Sequence, residues 1–365
     1  MGKKVIELKL GELFCGPGGI ALGAQNAKLE TEQEIYKIKH EWANDFHEDT
    51  CQTYRNNIDI APEKVICCDV RELDIDKLSP IDVFAYGFPC NDFSNVGKRK
   101  GFDGEYGPLY TYGVKVLNKF NPLFFIAENV SGLKSSNSGK AFEKILEDLR
   151  NAGNFGYSLT VHEYKFEDYG VPQKRHRLII VGFRRDLKLK FKVPKSTHIE
   201  KHVTVEEALA NIPKDAPNHD LTKQSKTVIE RLKRIKPGQN IWDVNEELPE
   251  ELRLNVKGAK LSQIYKRLHP EEPAYTITGS GGGGTHVYHH SEPRALTNRE
   301  RARLQTFPDN FVFYGKKESI RRQIGMAVSP KMAEIIFNAC LKTLAGIEYE
   351  WVQEKWTDCG CLFEV

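Results

Sequence analysis

The chain has 365 residues, of which 40% are hydrophobic and 28% are charged, and its formal net charge is +3. This length is sufficient for two domains, and the composition is typical of a soluble globular protein. No stretch approaches the roughly 18 consecutive apolar residues of a membrane helix, and the eight cysteines lack the spacing of a zinc site or a secreted disulfide framework. Because the first ten residues contain no apolar signal core, we expect a cytoplasmic protein with reduced thiols, no metal and no membrane partner.

The amino-terminal stretch combines a strand, a glycine turn and a helix. Residues 5–14 have the pattern of a strand, the turn contains Gly16, Gly18 and Gly19, and an apolar helical stretch follows. This order is typical of the opening unit of a nucleotide-binding α/β domain. The glycines lack the G-x-G-x-x-G spacing and no P-loop lysine follows, so the sequence disfavours a dinucleotide or a nucleoside triphosphate as the ligand.

Two further strands are each predicted to end in an acidic residue. Residues 30–40 are polar, and we expect them to form an inserted excursion before a strand that ends at Asp45, with Phe46 directly after it. Residues 65–70 repeat the pattern around Asp69. An acidic side chain at such a strand end can accept hydrogen bonds from ribose hydroxyls, and a neighbouring aromatic ring can stack on a base. These residues therefore predict an adenosine-type site, with a helix N-cap as the alternative role of Asp45.

Cys90 is the candidate nucleophile. An apolar strand over residues 83–86 stops at Gly87, and Pro89 turns the chain so that Cys90 stands at the carboxyl end of that strand. Reactive groups in open α/β sheets lie outside these strand ends, where a thiol can act as a nucleophile. The alternative is a buried structural cysteine.

Three charged residues are further candidates for the same site. A continuous apolar run over residues 123–127 is typical of a central parallel strand and ends in Glu128, which is placed as an acid or base. The alternative role of Glu128 is a surface glutamate that caps a turn. Arg175 and Arg177 precede another apolar strand, and in extended chain they would point to one face. Such a pair can hold an anion or the polar edge of a ring, although an exposed hairpin edge is the alternative.

The middle of the chain differs from both ends. Residues 184–294 are polar and interrupted by proline and glycine, and within them residues 184–267 carry 19 basic against 12 acidic residues. We expect a separate, smaller domain there, with either a phosphate-contacting surface or an ordinary solvated one. Helical periodicity then returns, with Thr297 as a predicted N-cap and a closing helix over residues 331–344.

Six motifs follow one another in the order, and at the approximate spacings, of a known family. They are Glu12–Gly19, Gly87–Ser94, Glu128–Val130, Gln173–Arg177, Leu296–Leu304 with Phe307-Pro308, and Gly325–Val328. On these motifs the chain resembles the DNA cytosine-5 methyltransferases of bacterial restriction-modification type. The resemblance extends from about Leu8 to Leu344 but leaves out residues 184–294.

The resemblance implies an α/β fold, with a Rossmann-like S-adenosylmethionine-dependent methyltransferase domain and a second, smaller target-recognition domain. The catalytic domain would comprise residues 1–183, the target-recognition domain residues 184–294, the return of the chain to the catalytic domain residues 295–345, and the tail residues 346–365. The residues implied to bind S-adenosylmethionine are Phe14, Gly16, Gly18, Gly19, Asp45, Phe46, Asp69, Val70, Pro89, Met326 and Ala327. The turn would take the methionine part, while Asp45 would take the ribose, Phe46 the adenine ring and Asp69 the adenine amino group.

The resemblance also implies a reaction. Cys90 would add to C6 of a cytosine, which makes C5 nucleophilic enough to take the methyl group. Glu128 would hydrogen-bond N3 and the amino group, Arg177 would hold O2, and Arg175 would steady the nucleophile or a phosphate. The base must leave the duplex for this chemistry, and Ser94, Lys98 and Arg99 would lie in a loop that contacts the DNA.

The implied partner is double-stranded DNA, with a cognate restriction endonuclease as a possible companion and a monomer as the default state. A transfer-RNA cytosine-5 methyltransferase and a non-catalytic DNA-binding protein on the same scaffold are the alternatives. The long middle region favours DNA over RNA, and the presence of Cys90 and Glu128 favours an active enzyme. The chain departs from the family at Asn91, where glutamine is usual, and at Met326, where asparagine is usual; the second change could alter cofactor affinity.

Overall fold

The computed structural model describes residues 2–88, 109–132, 139–255, 261–279 and 281–355. The chain separates into two compact units, and each is assembled from separate segments. The first, called the sheet unit, comprises Met1–Lys165, His176–Ser196 and Pro330–Val365. The other, called the second unit, comprises Phe166–Arg175 and Thr197–Ser329.

The sheet unit is built on one mixed sheet. The strands of the described chain are β1 (Lys4–Leu13), β2 (Lys28–Glu30), β3 (Glu34–Asp45), β4 (Val65–Cys67), β5 (Val83–Gly87), β6 (Phe124–Val130), β7 (Tyr157–Lys165), β8 (Gln173–Lys174), β9 (His176–Arg184), β10 (Val193–Pro194), β11 (Ala274–Tyr275) and β12 (Trp351–Val352). The large sheet has the order β2-β3-β1-β5-β6-β9-β7, and β4 pairs with β3. The strands β1, β3, β4, β5 and β6 run parallel, whereas β9 runs antiparallel to β6 and β7.

The two central strands β5 and β6 are buried because their residues are almost all apolar. Phe84 and Phe125 are both fully buried, and the rings of Phe84 and Tyr86 stack with their centroids 4.9 Å apart. The register places Gly87 opposite Glu128. The carboxyl end of β5, three residues before Cys90, therefore lies beside Glu128, which confirms the predicted neighbourhood of these two strands.

Helices of the sheet unit pack on its strands. The helices of the described chain are α1 (Gly19–Asn26), α2 (Glu48–Asn57), α3 (Tyr110–Phe120), α4 (Lys140–Asn151), α5 (Val205–Leu209), α6 (Lys226–Arg234), α7 (Asn298–Leu304), α8 (Lys317–Met326) and α9 (Pro330–Leu344). Of these, α5 to α8 belong to the second unit. The closing helix α9 packs on α1 so tightly that a Cβ atom at Gly23 would lie 2.5 Å from the Cβ of Ala333. The stretch Lys317–Leu344 could cross a membrane by length and composition alone, but 72% of its most apolar window is buried in the fold.

The second unit contains short elements around small apolar clusters. One cluster includes Leu232, Ile241, Tyr265 and Tyr288. A separate cluster includes Ile277 and Leu304. Its short strands β8 and β11 pair in parallel. The predicted cap of α7 is confirmed, because the side chains of Thr297 and Glu300 each accept a hydrogen bond from the other residue's backbone N–H.

The prediction that residues 30–40 form an inserted excursion is wrong. These residues form the end of β2 and the first half of β3, which pairs with β1. Their polar character has a simple cause, since alternate side chains of an edge-side strand face water. The ammonium group of Lys37, for example, lies 2.8 Å from the carboxylate of Glu7 on the neighbouring strand.

The units divide the chain at other positions than the sequence suggests. Residues 295–329 pack within the second unit, together with residues 166–175, rather than with the sheet. Residues 346–355 also differ from a simple tail, because β12 pairs with β10 in the sheet unit. Both differences arise from contacts between residues far apart in sequence, which local patterns do not report.

Candidate active site

The glycine turn after β1 has a strained backbone that suits glycine. The φ angles of Phe14, Gly16 and Gly18 are +53°, +56° and +96°, and Gly18 is the N-cap of α1. A Cβ atom at Gly18 would lie 3.0 Å from Cγ1 of Ile58. Glycine at this position allows the tight reversal and lets a ligand approach the backbone at the start of a helix.

Asp45 joins this turn to the end of β3. Its carboxylate accepts a hydrogen bond from the backbone N–H of Gly16 at 3.0 Å and another from that of His47 at 3.1 Å. Burial raises the pKa of Asp45 above its ordinary value, and the two N–H donors oppose that shift. The structure thus brings together two predicted cofactor contacts, Gly16 and Asp45.

The aromatic and acidic candidates that follow β3 and β4 differ in exposure. Phe46 presents 69% of its surface to solvent, an unusual exposure for a large apolar ring. Asp69 is held by Arg71, whose Nε lies 2.9 Å from Oδ1 and whose Nη2 lies 2.5 Å from Oδ2, and this contact lowers the pKa of Asp69. Val70 is buried in the core beneath.

Glu12 is a buried acid that opens the first sequence motif but received no role in the sequence reasoning. It is fully buried in β1, and the hydroxyl of Tyr54 donates a hydrogen bond to its Oε2 at 3.1 Å. Burial raises its pKa to about 8, so the side chain is largely protonated at neutral pH. The sequence signal was an acidic residue within an otherwise apolar strand end, two positions before Phe14.

Glu128 and Arg177 form an ion pair on neighbouring strands. The Nε of Arg177 lies 3.1 Å from Oε1 of Glu128, and the two side chains are 15% and 14% exposed. The pair follows from the antiparallel register of β6 and β9. A carboxylate and a guanidinium fixed together in this way can bind both edges of a planar polar ring.

Asn129 is a second residue that the sequence reasoning left without a role. It is buried, and its Nδ2 donates a hydrogen bond to the carbonyl of Phe88 at 3.1 Å. Its Oδ1 accepts from the backbone N–H of Val130. Asn129 therefore fixes the segment that leads into Pro89 and Cys90, and an amide in a buried strand was its signal.

Arg175 has a different environment from Arg177, although the sequence placed both on one face. It belongs to the second unit and is 1% exposed. Its guanidinium donates hydrogen bonds to the carbonyls of Ile277, Gly325 and Ala327. These contacts show that Arg175 holds the segment containing Met326 and Ala327, and its predicted contact with the nucleophile stays a prediction.

The remaining predicted residues fall into two groups. Pro89, Cys90, Ser94, Lys98 and Arg99 lie outside the described residues. Met326, at the end of α8 in the second unit, is 69% exposed, whereas the adjacent Ala327 is buried.

These features define a class of protein. The parallel strand order, the glycine turn before α1 and the carboxylate at the end of β3 are those of a Rossmann-like S-adenosylmethionine-dependent methyltransferase. The residues fit that cofactor, because a carboxylate suits ribose hydroxyls, an exposed ring suits a base, and a glycine turn accepts a close ligand.

Comparisons with known proteins agree with this class. The family model for C-5 cytosine-specific DNA methylase matches residues 8–342. The chain is 60% identical over 358 residues to the Type II methyltransferase M.BbvI of Brevibacillus brevis, covering 96% of this chain and 95% of that protein. It is 40% identical over 337 residues to the Type II methyltransferase M.NgoFVII of Neisseria gonorrhoeae, covering 88% and 83%.

A solved structure shares the fold. A protein of E. coli, described as a DNA modification methyltransferase encoded within a prophage, matches with a TM-score of 0.70 and 23% identity, over 93% of this chain and 99% of that one. With the family match, these findings show that the chain belongs to the C-5 cytosine-specific DNA methylases and is a DNA (cytosine-5-)-methyltransferase whose cofactor is S-adenosylmethionine.

Proposed function

We propose that this enzyme methylates C5 of one cytosine, flipped out of a specific duplex DNA sequence, through a covalent bond between Cys90 and C6, as part of a restriction-modification system in a bacterial cytoplasm. The observation that carries the proposal is the Glu128–Arg177 pair beside the end of β5. It supports a site for the polar edge of a cytosine at the carboxyl end of β5, and in the sequence Cys90 follows β5 by three residues.

Three residues of the chain have separate roles in activating the cytosine ring. The Cys90 thiolate adds to C6, so that a C6–S bond forms and electron density moves to C5. Glu128 hydrogen-bonds N3 and the amino group, and Arg177 donates to O2, which stabilises the charge that develops on the ring. After C5 has taken the methyl group, loss of its proton and breakage of the C6–S bond restore the aromatic ring.

Bound S-adenosylmethionine supplies an electrophilic methyl group on a sulfonium. Asp45 would accept hydrogen bonds from its ribose, Phe46 would stack on its adenine, and Asp69 would accept from the adenine amino group. Phe14, Gly16, Gly18 and Gly19 would line the methionine part, with Val70, Pro89, Met326 and Ala327 as further contacts.

The second unit is proposed to read the DNA sequence. It contains most of the basic stretch that the sequence shows between residues 184 and 267, and basic residues position a protein on the phosphate backbone. Ser94, Lys98 and Arg99 would add contacts from the loop after Cys90. The companion endonuclease would recognise the same sequence and is proposed from the restriction-modification type of the relatives.

The test uses duplex DNA that carries 5-fluorocytosine, with tritium-labelled S-adenosylmethionine. Fluorine cannot leave C5 as a proton does, so the covalent adduct should accumulate on a denaturing gel. It should be absent with Cys90→Ser, which should still bind the duplex. Normal methylation of ordinary DNA by Cys90→Ser would exclude Cys90 as the nucleophile, and labelled DNA without an adduct would exclude the covalent route.

A further inference from the structure

The second unit contains a polar pocket that the proposed chemistry does not use. It has a volume of about 120 Å³ and lies at the amino-terminal ends of α7 and α8. Its lining includes Arg301, Arg321, Lys317, Asn298, Thr222 and His286. A cavity needs only about 10–15 Å³ of such volume to hold one water molecule, so this pocket has room for a tetrahedral oxyanion.

Arg301 is the unusual residue of this pocket. It is 1% exposed, and neither its Nη1 nor its Nη2 has a hydrogen-bond partner in the part of the chain that the structure describes. Burial and the neighbouring Arg321 lower its pKa to about 10. Burying a guanidinium without a hydrogen-bonded partner is unfavourable. The charge of the neighbouring Glu300 acts on Arg301, but the hydrogen bonds of that carboxylate go to Arg294.

Another buried arginine of α7 shows what a structural arginine looks like. Arg299 is also buried, but its guanidinium donates hydrogen bonds to the carbonyls of Pro217, Pro308 and Phe311. Arg301 makes no comparable contacts among the described residues. It is therefore placed to bind a ligand rather than to join segments of the chain.

The charges of the residues that line the pocket favour binding of an anion near Arg301. Arg301, Arg321 and Lys317 are positive, while the carboxylates of Asp220 and Glu318 belong to exposed residues. No ion pair joins either arginine to a carboxylate within the described chain. Burial and the two arginines lower the pKa of His286 to about 4. This histidine is therefore neutral at pH 7 and adds no charge to the pocket.

We propose that this pocket binds one phosphate group, held by the fork of Arg301, and that the phosphate is either a backbone phosphate of the DNA substrate or free inorganic phosphate. A guanidinium presents paired N–H donors that match two phosphate oxygens. The DNA source rests on the proposed function, whereas the anion site does not.

The first experiment measures the binding of inorganic phosphate without DNA. Thermal unfolding of the full chain is compared in sodium phosphate and in sodium chloride at equal ionic strength. Relative to chloride, phosphate should raise the Tm of the wild type by about 2 °C or more. The rise should be equal in the control Arg234→Met, which removes an exposed arginine of α6 outside the pocket. Arg301→Met should show no phosphate-specific rise in Tm. Arg321→Met serves if Arg301→Met fails to fold.

The second experiment identifies the source of the phosphate. Affinity for a duplex containing the target sequence is measured between 50 and 200 mM salt, and each phosphate contact contributes about 0.9 to the slope of log K against log salt. A slope reduced by about 0.9 in Arg301→Met assigns the pocket to a DNA phosphate. An unchanged slope with phosphate-specific stabilisation assigns it to the free anion.

The proposal is overturned if neither the Tm difference nor the slope depends on Arg301. This result differs from failure of the proposed function, which would appear as absence of methyl transfer by the wild type. A loss of Tm in Arg301→Met that is equal in phosphate and chloride, with an unchanged slope, would show a structural role instead.

Discussion

At the scale of single residues, two glutamates differ because their surroundings differ. Glu128 is paired with a guanidinium on the next strand, whereas Glu12 is buried against a hydroxyl. The first arrangement suits binding and chemistry at an accessible edge, and the second suits a neutral structural acid.

Glu128→Gln should lower the rate of methyl transfer by about 10²–10⁴-fold, because it keeps the shape of the side chain but removes the charge that we propose contacts the cytosine ring. The affinity for S-adenosylmethionine should change little. Single-turnover kinetics and calorimetry measure the two quantities, with Glu143→Gln on the exposed face of α4 as the control. Loss of cofactor binding with an unchanged rate would exclude the role given to Glu128.

Glu12→Gln should remove a pH dependence of stability. Because the pKa of Glu12 is raised from 4.5 to about 8 by burial, the folded chain holds a proton between these values that the unfolded chain has lost. The contribution of Glu12 to the free energy of unfolding should therefore decrease as the pH rises from 5 to 8, by up to about 1.4 kcal/mol per pH unit.

Urea unfolding at pH 5, 6, 7 and 8 measures this difference. Glu7→Gln is the control on the same strand, since contact with Lys37 lowers the pKa of Glu7 and confines its titration to lower pH. Parallel pH profiles of the wild type and Glu12→Gln would contradict a raised pKa for Glu12.

At the scale of elements, the turn between β1 and α1 depends on one backbone conformation. The φ of Gly18 is +96°, and the side chains of Ile58 and Tyr54 surround the position. The sequence predicts a turn there, but only the folded chain shows that the carboxylate of Asp45 accepts a hydrogen bond from the backbone N–H of Gly16 in that turn.

Gly18→Ala should weaken S-adenosylmethionine binding by about tenfold or more, corresponding to about 1.4 kcal/mol. The Cβ both strains the left-handed backbone and crowds Ile58. Gly346→Ala is the matched control, because Gly346 has a φ of +70° and an added methyl there would have no atom within 4 Å among the described residues. Equal cofactor affinities of the two variants in calorimetry would show that the turn does not contact the cofactor.

At the scale of the whole molecule, the sheet unit is closed by segments that are distant in sequence. The hydroxyl of Tyr349 donates to the carbonyl of Lys192 at 2.7 Å and accepts from its backbone N–H at 3.1 Å. The ring of Trp351 lies under the ammonium of Lys192, with 5.2 Å between the nitrogen and the ring centroid. Residues 346–355 therefore contribute to the stability of this unit.

Tyr349→Phe should lower the free energy of unfolding by about 1–2 kcal/mol, because the backbone of Lys192 loses its partner. Chemical denaturation measures the change, with Tyr112→Phe as a control whose hydroxyl makes no hydrogen bond among the described residues. No difference between the two variants would show that this connection adds nothing to stability.

Local sequence determined the elements that form the site. Apolar runs specify β5 and β6, glycines specify the turn before α1, and the Thr297 cap specifies the start of α7, because each depends on neighbours within a few residues. The order of six motifs also determined the family, and with it the cofactor.

Only the tertiary structure determined the partners and the burial of each polar side chain. The polar run over residues 30–40 became strand because a parallel neighbour, β1, was available. Arg175 and Arg177, two positions apart, belong to different units and have different partners. Burial makes Glu12 a neutral acid and lowers the pKa of Arg301, whose two terminal nitrogens have no hydrogen-bond partner among the described residues. Burial in turn depends on residues that the local sequence does not contain.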